Sequence, residues 1–242
     1  MTTLLKRIPN RVAALGPMSI TQRFAPIALS AMVLALPLTI QAQNSASEVY
    51  DRAAKAFGAL QTIDAQFDQT IMNPLLGKTV TSHGHFLQQK PNLVSITFTD
   101  PVGDRIVSDG KSLWIYLPSS LPGQVVKLPA DTEGAGVANL LGQFLDAPKQ
   151  SFTITGGEAA TIDGTGTRKV QLVPRAKSSA PFQRAVLWID DKESRIRRVQ
   201  VVDAQGVDRT ITMTTWATNT ALAKDAFKFS PPKGVKIVNS LP

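Results

Sequence analysis

A chain of 242 residues with no cysteine and a formal charge of +8 is long enough for one domain with a sizeable core and has no disulfide to staple it. Half of the charge excess belongs to the first 42 residues, where Lys6, Arg7, Arg11 and Arg23 meet no acidic side chain. Of the 26 Lys and Arg, 22 then face 18 Asp and Glu, so the basic balance is not read as a nucleic-acid footprint.

Before residue 43 the chain has a basic start, an apolar run from Phe24 to Ile40, and Ile40-Gln41-Ala42, a pattern that signal peptidase accepts. Pro26 and Pro37 interrupt the run, and its core of ~10 residues is shorter than the ~20 a spanning helix needs. The expectation is a cleaved signal peptide over 1–42, with Met18 as an alternative start, and one mature domain over 43–242. With no cysteine at the cleavage site there is no lipid attachment. Export without a second membrane signal points to the periplasm or outside.

Ser47 to Leu60 predicts a helix. Ser47 can cap it, and Val49, Ala53, Ala56, Phe57 and Leu60 fall on one face. Ile63 to Met72 alternates, with Ile63, Ala65 and Phe67 opposite Asp64, Gln66 and Asp68, which predicts a half-exposed antiparallel strand. Asn73-Pro74 and Gly77-Lys78 turn the chain. Thr79 to Gln89 is the next strand, with Gly84 and Phe86 on one face. After Lys90-Pro91-Asn92, Leu93 to Thr99 places Val94, Ile96 and Phe98 opposite Ser95 and Thr97. Asp100 to Gly103 is a turn.

Val107 to Tyr116, V-S-D-G-K-S-L-W-I-Y, reads as strand, tight turn at Asp109-Gly110, strand. Leu113 and Ile115 lie on one face and Trp114 and Tyr116 on the other, so this strand needs cover on both sides. A loop over Pro118–Gly123 and a short strand over Gln124–Leu128 follow. Within Pro129–Pro148, Gly134-Ala135-Gly136 opens a run in which Val137, Leu140, Leu141, Phe144 and Leu145 repeat at helical spacing, predicting a short apolar helix over 134–146.

Strands resume at Phe152–Thr155, Arg168–Val173, Arg184–Ile189, Arg195–Val202 and Val207–Trp216, the last three linked through Asp190–Ser194 and Asp203–Gly206. The tail, Ala226 to Val235, packs two phenylalanines and ends in Pro231-Pro232. The chain is expected to stop at Pro242 without a further strand. The pattern is one helix, a meander of roughly ten antiparallel strands that must curl, and a second helix inserted near the middle.

No motif for catalysis is present: no G-x-S-x-G elbow, P-loop or G-x-G-x-x-G. His83 and His85 share a strand face but have no cysteine to join them, and an exposed face is the expected reading rather than a metal site. Trp114, Trp188 and Trp216 are too far apart in sequence to define a stacking platform. The positive feature is apolar excess on several strands with few helices to cover them. Either the core is large, or part of that surface encloses a greasy ligand.

Four stretches in order carry a resemblance: Ile63-Asp64-Ala65-Gln66-Phe67-Asp68-Gln69-Thr70, Gly84 to Leu93 with Lys90-Pro91, the Val107–Tyr116 hairpin, and Phe227 to Val235. The chain resembles the LolA family, the periplasmic outer-membrane lipoprotein carriers. The resemblance implies a mainly β fold with a few helices: an unclosed antiparallel β-barrel, or half-barrel, with a helical lid over its apolar concave face. It implies a carrier that is not an enzyme, needs no cofactor or metal, does not bind nucleic acid and works as a monomer. Its cargo is an acylated lipoprotein, taken from an inner-membrane ABC transporter and passed to an outer-membrane receptor. By strand parity Phe67, Val94, Ile96, Phe98, Ile211 and Met213 would line the cavity, and Leu140, Leu141 and Phe144 would form the lid's underside; core packing is the competing reading for each.

Two departures stand out. The family's basic residue before proline is commonly Arg and ties the lid, whereas here Lys90 would be the latch, without a planar fork. The Pro118–Gly123 loop is longer than usual. Related half-barrels act as sensors of mislocalised lipoproteins or as carriers of another acyl lipid or glycolipid, and a small secreted esterase is a more distant alternative.

Overall fold

The computed structural model describes residues 38–130, 139–176, 178 and 180–240, and the side chains from residue 45 onward. The expected signal peptide therefore lies almost wholly outside the described residues. Helix α1 (Leu38–Gly58) begins nine residues before the expected start at Ser47, because Leu38 to Ala46 is a mixed apolar and polar run with no Pro or Gly to break the helix. Its buried stripe is Ala46, Val49, Tyr50, Ala53 and Phe57, a spacing of three and four residues that puts all five on one face.

Thirteen strands follow among the described residues. The first six are β1 (Thr62–Asn73), β2 (Lys78–Gln89), β3 (Leu93–Asp100), β4 (Arg105–Asp109), β5 (Ser112–Tyr116) and β6 (Gln124–Pro129). A one-turn helix, α2 (Gly142–Leu145), precedes β7 (Phe152–Ile162), β8 (Thr165–Pro174), β9 (Arg184–Asp190), β10 (Ile196–Val202), β11 (Asp208–Met213), β12 (Ala217–Thr218) and β13 (Lys236–Val238). They form one sheet in the order β13-β6-β5-β4-β3-β2-β1-β11-β10-β9-β8-β7, with β12 attached to β1. Two antiparallel meanders, β1–β6 and β7–β11, are thus joined where β1 pairs with β11. The outermost strands, β13 and β7, do not pair with each other, so the sheet curls without closing.

Three expectations need correction. The helix predicted over 134–146 is a single turn, Gly142–Leu145, among the described residues; residues 131–138, including Val137, lie outside them. The tail does add a strand: β13 runs parallel to β6, with Ile237 opposite Val125, and covers an edge that β6 would otherwise present. The strand expected over Phe152–Thr155 continues to Ile162 through a register shift between Gly156 and Ala159. Gly156-Gly157 reads as a breaker, but both residues take positive φ and form a bulge inside the strand; a Cβ on Gly156 would lie 2.7 Å from the Lys169 carbonyl oxygen.

The core is one contiguous cluster that includes both helices and the inner face of both meanders. α1 packs mainly on β7 and β8, and Phe144 of α2 meets Phe182 with ring centroids 5.4 Å apart. The hairpin of β4 and β5 is covered on both sides, as its sequence demands. Leu113 and Ile115 are buried in the core, while Phe229 from the tail lies over Trp114 and Tyr116 with centroids 5.7 and 5.9 Å away.

Candidate functional site

Strand register converts the sequence alternation into rows of side chains across the inner face. Phe67 on β1 stands between Met213 on β11 and Gly84 on β2, and Gly84 faces Phe98 on β3. The Phe67 ring lies over Gly84 and meets Phe98 edge-on at 5.7 Å. A Cβ on residue 84 would come within 2.6 Å of that ring and 2.8 Å of the Thr97 carbonyl oxygen, so glycine is required for the ring to cross the strand. The next row is Ala65, Phe86, Ile96, Ile106, Ile115 and Val126. Val94 falls in a third row, and Ile211 faces Val199 on β10.

All six side chains expected to line a cavity therefore sit on the inner face. Five are buried and Phe98 is partly exposed against the same cluster. Gln88 shares the row of Ile63 and Val94, and its buried Oε1 has no hydrogen-bond partner.

Leu140, Leu141 and Phe144, expected under a lid, are all buried in the core cluster. The Tyr50 hydroxyl donates a hydrogen bond of 2.8 Å to the Phe144 carbonyl oxygen, tying α2 to α1. Burial, with Asp51 and Asp146 nearby, pushes the Tyr50 phenol up to about 12, so it stays a neutral donor. Asp146 caps the C-terminal end of α2; burial raises its carboxyl above the ordinary value and Lys90 opposes that rise.

Lys90, expected as the lid latch, reaches the end of α1. Its ammonium donates to the carbonyl oxygens of Phe57 at 3.0 Å and Gly58 at 3.3 Å and lies 4.6 Å from the centroid of the Phe57 ring. These are carbonyls of the last turn of α1, where a cation is favoured; the Phe57 oxygen also accepts from the Leu60 N–H at 3.1 Å. Among the described residues these bonds tether α1, and the Lys90 charge reaches Asp146; residues 131–138, where the expected lid begins, lie outside them.

A cavity of about 150 Å³ opens where the end of α1, α2 and the β9–β10 turn meet, lined by Phe57, Leu60, Leu141, Leu145, Arg195 and Trp216 among others. Of the nine residues expected at a lipid site, only Leu141 lines it. Sequence reasoning missed Arg195 and Trp216, because neither carries a local signal beyond following a turn or ending a strand.

The buried Asp190 builds that turn. Its carboxylate accepts from the backbone N–H groups of Lys192 and Glu193 and pairs with Arg197 at 3.0 Å, while Arg195 is paired with Glu193. Burial, reinforced by Arg197 and opposed by Asp190, holds the Arg195 guanidinium below its ordinary value.

On the outer face His83 is hydrogen-bonded to Asp68 and His85 to Asp64, each at 2.6 Å. Each ring has its own aspartate, and the described residues hold no cluster of three or more metal-ligating side chains.

Residues 58–230 match the model of the outer membrane lipoprotein carrier protein LolA. An outer-membrane lipoprotein carrier protein from Methylobacillus flagellatus is 27% identical over 217 residues, which is 89% of this chain and 98% of that protein. One from Neisseria meningitidis is 28% identical over 204 residues, 84% and 93% of the two chains. The crystal structure of an uncharacterized conserved protein from Thermus thermophilus aligns at a TM-score of 0.51 and 16% identity, over 81% of this chain and 99% of that one. The family model spans β1 to β12, from the end of α1 to the Phe229 tail, so the stretch that forms most of the apolar inner face identifies the chain as a member of the LolA family of outer-membrane lipoprotein carriers.

Proposed function

We propose that this protein is a periplasmic carrier that shields the acyl chains of lipoproteins on the inner face of its sheet. The observation that carries the reading is a single apolar surface shared by both meanders, under helices held in part by a few polar tethers: the Tyr50 hydroxyl on α2 and the Lys90 ammonium on α1. An unclosed sheet can widen without breaking a strand pair, whereas a closed barrel cannot. Displacing the helices would expose Phe67, Ile96 and Met213 to an acyl chain, and their return would expel it.

No step is covalent, and no cofactor takes part. Residues 1–42 are removed on export, the carrier works as a monomer, and it takes cargo from an inner-membrane ABC transporter and delivers it to an outer-membrane receptor. The names of the relatives support lipoproteins as cargo rather than another acyl lipid.

The test is release of a newly acylated lipoprotein from transporter-containing proteoliposomes. The purified protein should move it into the soluble fraction as a one-to-one complex, and recovery of all lipoprotein in the vesicle pellet would refute the carrier role.

A further inference from the structure

The hairpin of β1 and β2 reaches beyond its neighbours in the sheet. Towards the turn, pairing of β1 with β11 ends at Met72 opposite Asp208, and pairing of β2 with β3 ends at His83 opposite Asp100. β1 and β2 stay paired with each other as far as Asn73 and Lys78. The apex that projects is apolar. Leu75 is 80% exposed and Leu76 68%, with Met72 and Val80 exposed on the strands behind them. None of these side chains belongs to the core or to the inner face. Single exposed apolar residues are ordinary, but four on one projecting hairpin make a contact surface.

The turn is built to hold the two leucines outward. Asn73 Oδ1 accepts from the N–H groups of Leu75 at 3.0 Å and Leu76 at 3.2 Å, Pro74 has no N–H to satisfy, and Gly77 returns the chain with positive φ. The leucine N–H groups are thus used within the turn. A protein pocket can supply hydrogen bonds to an entering turn. The apolar part of a bilayer cannot, so main-chain groups that enter it must already be satisfied.

The charges favour lipid as well. No acidic side chain lies between Asp68 and Asp100 in the chain. Lys78 follows the apex and is exposed, so its stem can lie along apolar surface while its ammonium stays at the level of lipid phosphates. Across the sheet, Asp208 accepts from Gln200 Nε2 at 2.6 Å, and Asp203 in the β10–β11 turn accepts from the N–H groups of Gln205 and Val207. The depth is limited by β2 itself. Among the described residues, Lys78 to Ser82 extend past the end of β3 without a strand on that side, and their open main-chain groups need water.

We propose that the β1–β2 apex is a membrane contact: Leu75 and Leu76 enter the boundary between head groups and acyl chains of a phospholipid bilayer, with Lys78 beside the lipid phosphates. The strands behind the apex stay in water. The contact is reversible, since two leucines carry far less apolar surface than a spanning segment. The carrier reading enters only in explaining why the protein meets a membrane; the contact itself rests on the hairpin.

The chain has no cysteine, so Leu76→Cys and Thr81→Cys each provide a unique position for an environment-sensitive dye. Thr81 is exposed on the same hairpin but set back along β2. Protein exported to the periplasm and purified from it is mixed with vesicles of phosphatidylethanolamine and phosphatidylglycerol. The dye at position 76 should shift to shorter wavelength and be quenched by nitroxide-labelled lipid, and the dye at position 81 should keep its aqueous emission. In unlabelled protein, Leu75→Asn and Leu76→Asn should each lower partition into the vesicles about tenfold, with circular dichroism unchanged because both side chains are exposed. Val102→Asn should leave partition as it is. Val102 is equally exposed, but it belongs to the β3–β4 turn behind the apex, between Asp100 and Asp104 in the chain.

A dye at position 76 that does not respond to vesicles overturns the proposal, and that is the result if the apex binds a protein instead of lipid. Equal quenching at positions 76 and 81 overturns it too, as does a loss of partition in Val102→Asn equal to that in Leu75→Asn. A protein whose apex enters the bilayer but which releases no lipoprotein from proteoliposomes keeps the contact and removes the carrier reading. Release of lipoprotein by a protein whose apex stays in water does the reverse.

Discussion

Gly84 and Asp109 show how single residues set this fold. Gly84 is required because the Phe67 ring crosses β2 there to reach Phe98. Gly84→Val should displace that ring and cost about 2–3 kcal/mol in urea unfolding, in the range of overpacked core substitutions. Asp109 accepts from the backbone N–H groups of Lys111 and Ser112 and from the Trp114 indole. Partial burial works against its ionisation, but the bonds from Ser112, Trp114 and Lys111 and the charge of Lys127 outweigh it and hold the carboxyl below its ordinary value. The folded value is below the unfolded one, so the stabilisation is present at neutral pH and is lost as the pH falls through the folded value. Acidification below about pH 4 should therefore release the Trp114 indole signal, and Asp109→Asn should flatten that dependence.

At the scale of elements, the end of α1 depends on a residue from the β2–β3 connection. Lys90→Met would leave the Phe57 and Gly58 carbonyls without their cation and uncover the Phe57 ring. We expect a loss of about 1–2 kcal/mol, faster amide exchange confined to the last turn of α1, and recovery in Lys90→Arg. Exchange that is unchanged there would show that the ammonium does not tether the helix. The one-turn α2 has no such local support. It has no side-chain N-cap, and its place is set by the Tyr50 hydroxyl and by Phe144 against Phe182. A four-residue helix is not stable by propensity, so the apolar repeat of Leu140, Leu141, Phe144 and Leu145 reports burial more than helix length.

For the whole molecule the question is whether the inner face opens. Ile96 is only 4% exposed in the closed arrangement. If the face stays sealed, Ile96→Glu buries an unpaired carboxylate and costs several kcal/mol. If the helices swing away to admit acyl chains, the variant keeps its β circular dichroism, because the carboxylate reaches water, and it fails to solubilise lipoprotein. A folded Ile96→Glu protein without carrier activity is the expected outcome; loss of the fold would make position 96 sealed core. The β1–β11 junction makes opening feasible, since the two meanders meet along one strand pair and their outer edges are free of each other.

The strand alternation and the four ordered motifs made the sheet legible from sequence, because a period of two leaves one register in which Phe67, Ile96 and Met213 share a face. The Val107–Tyr116 hairpin announced that it would be covered twice, since each face of β5 is apolar. Tertiary structure decided everything that joins distant segments. Lys90 meets Phe57 and Gly58 through backbone carbonyls, which no side-chain pattern encodes. β13 pairs with β6 across more than 100 residues, and its three residues are too few for a periodic signal. Arg195 and Trp216 come together only because the β9–β10 turn and the end of β11 lie side by side beneath α1. That contact exists only in the folded chain, because it joins the residue after one turn to a residue beyond the end of another strand.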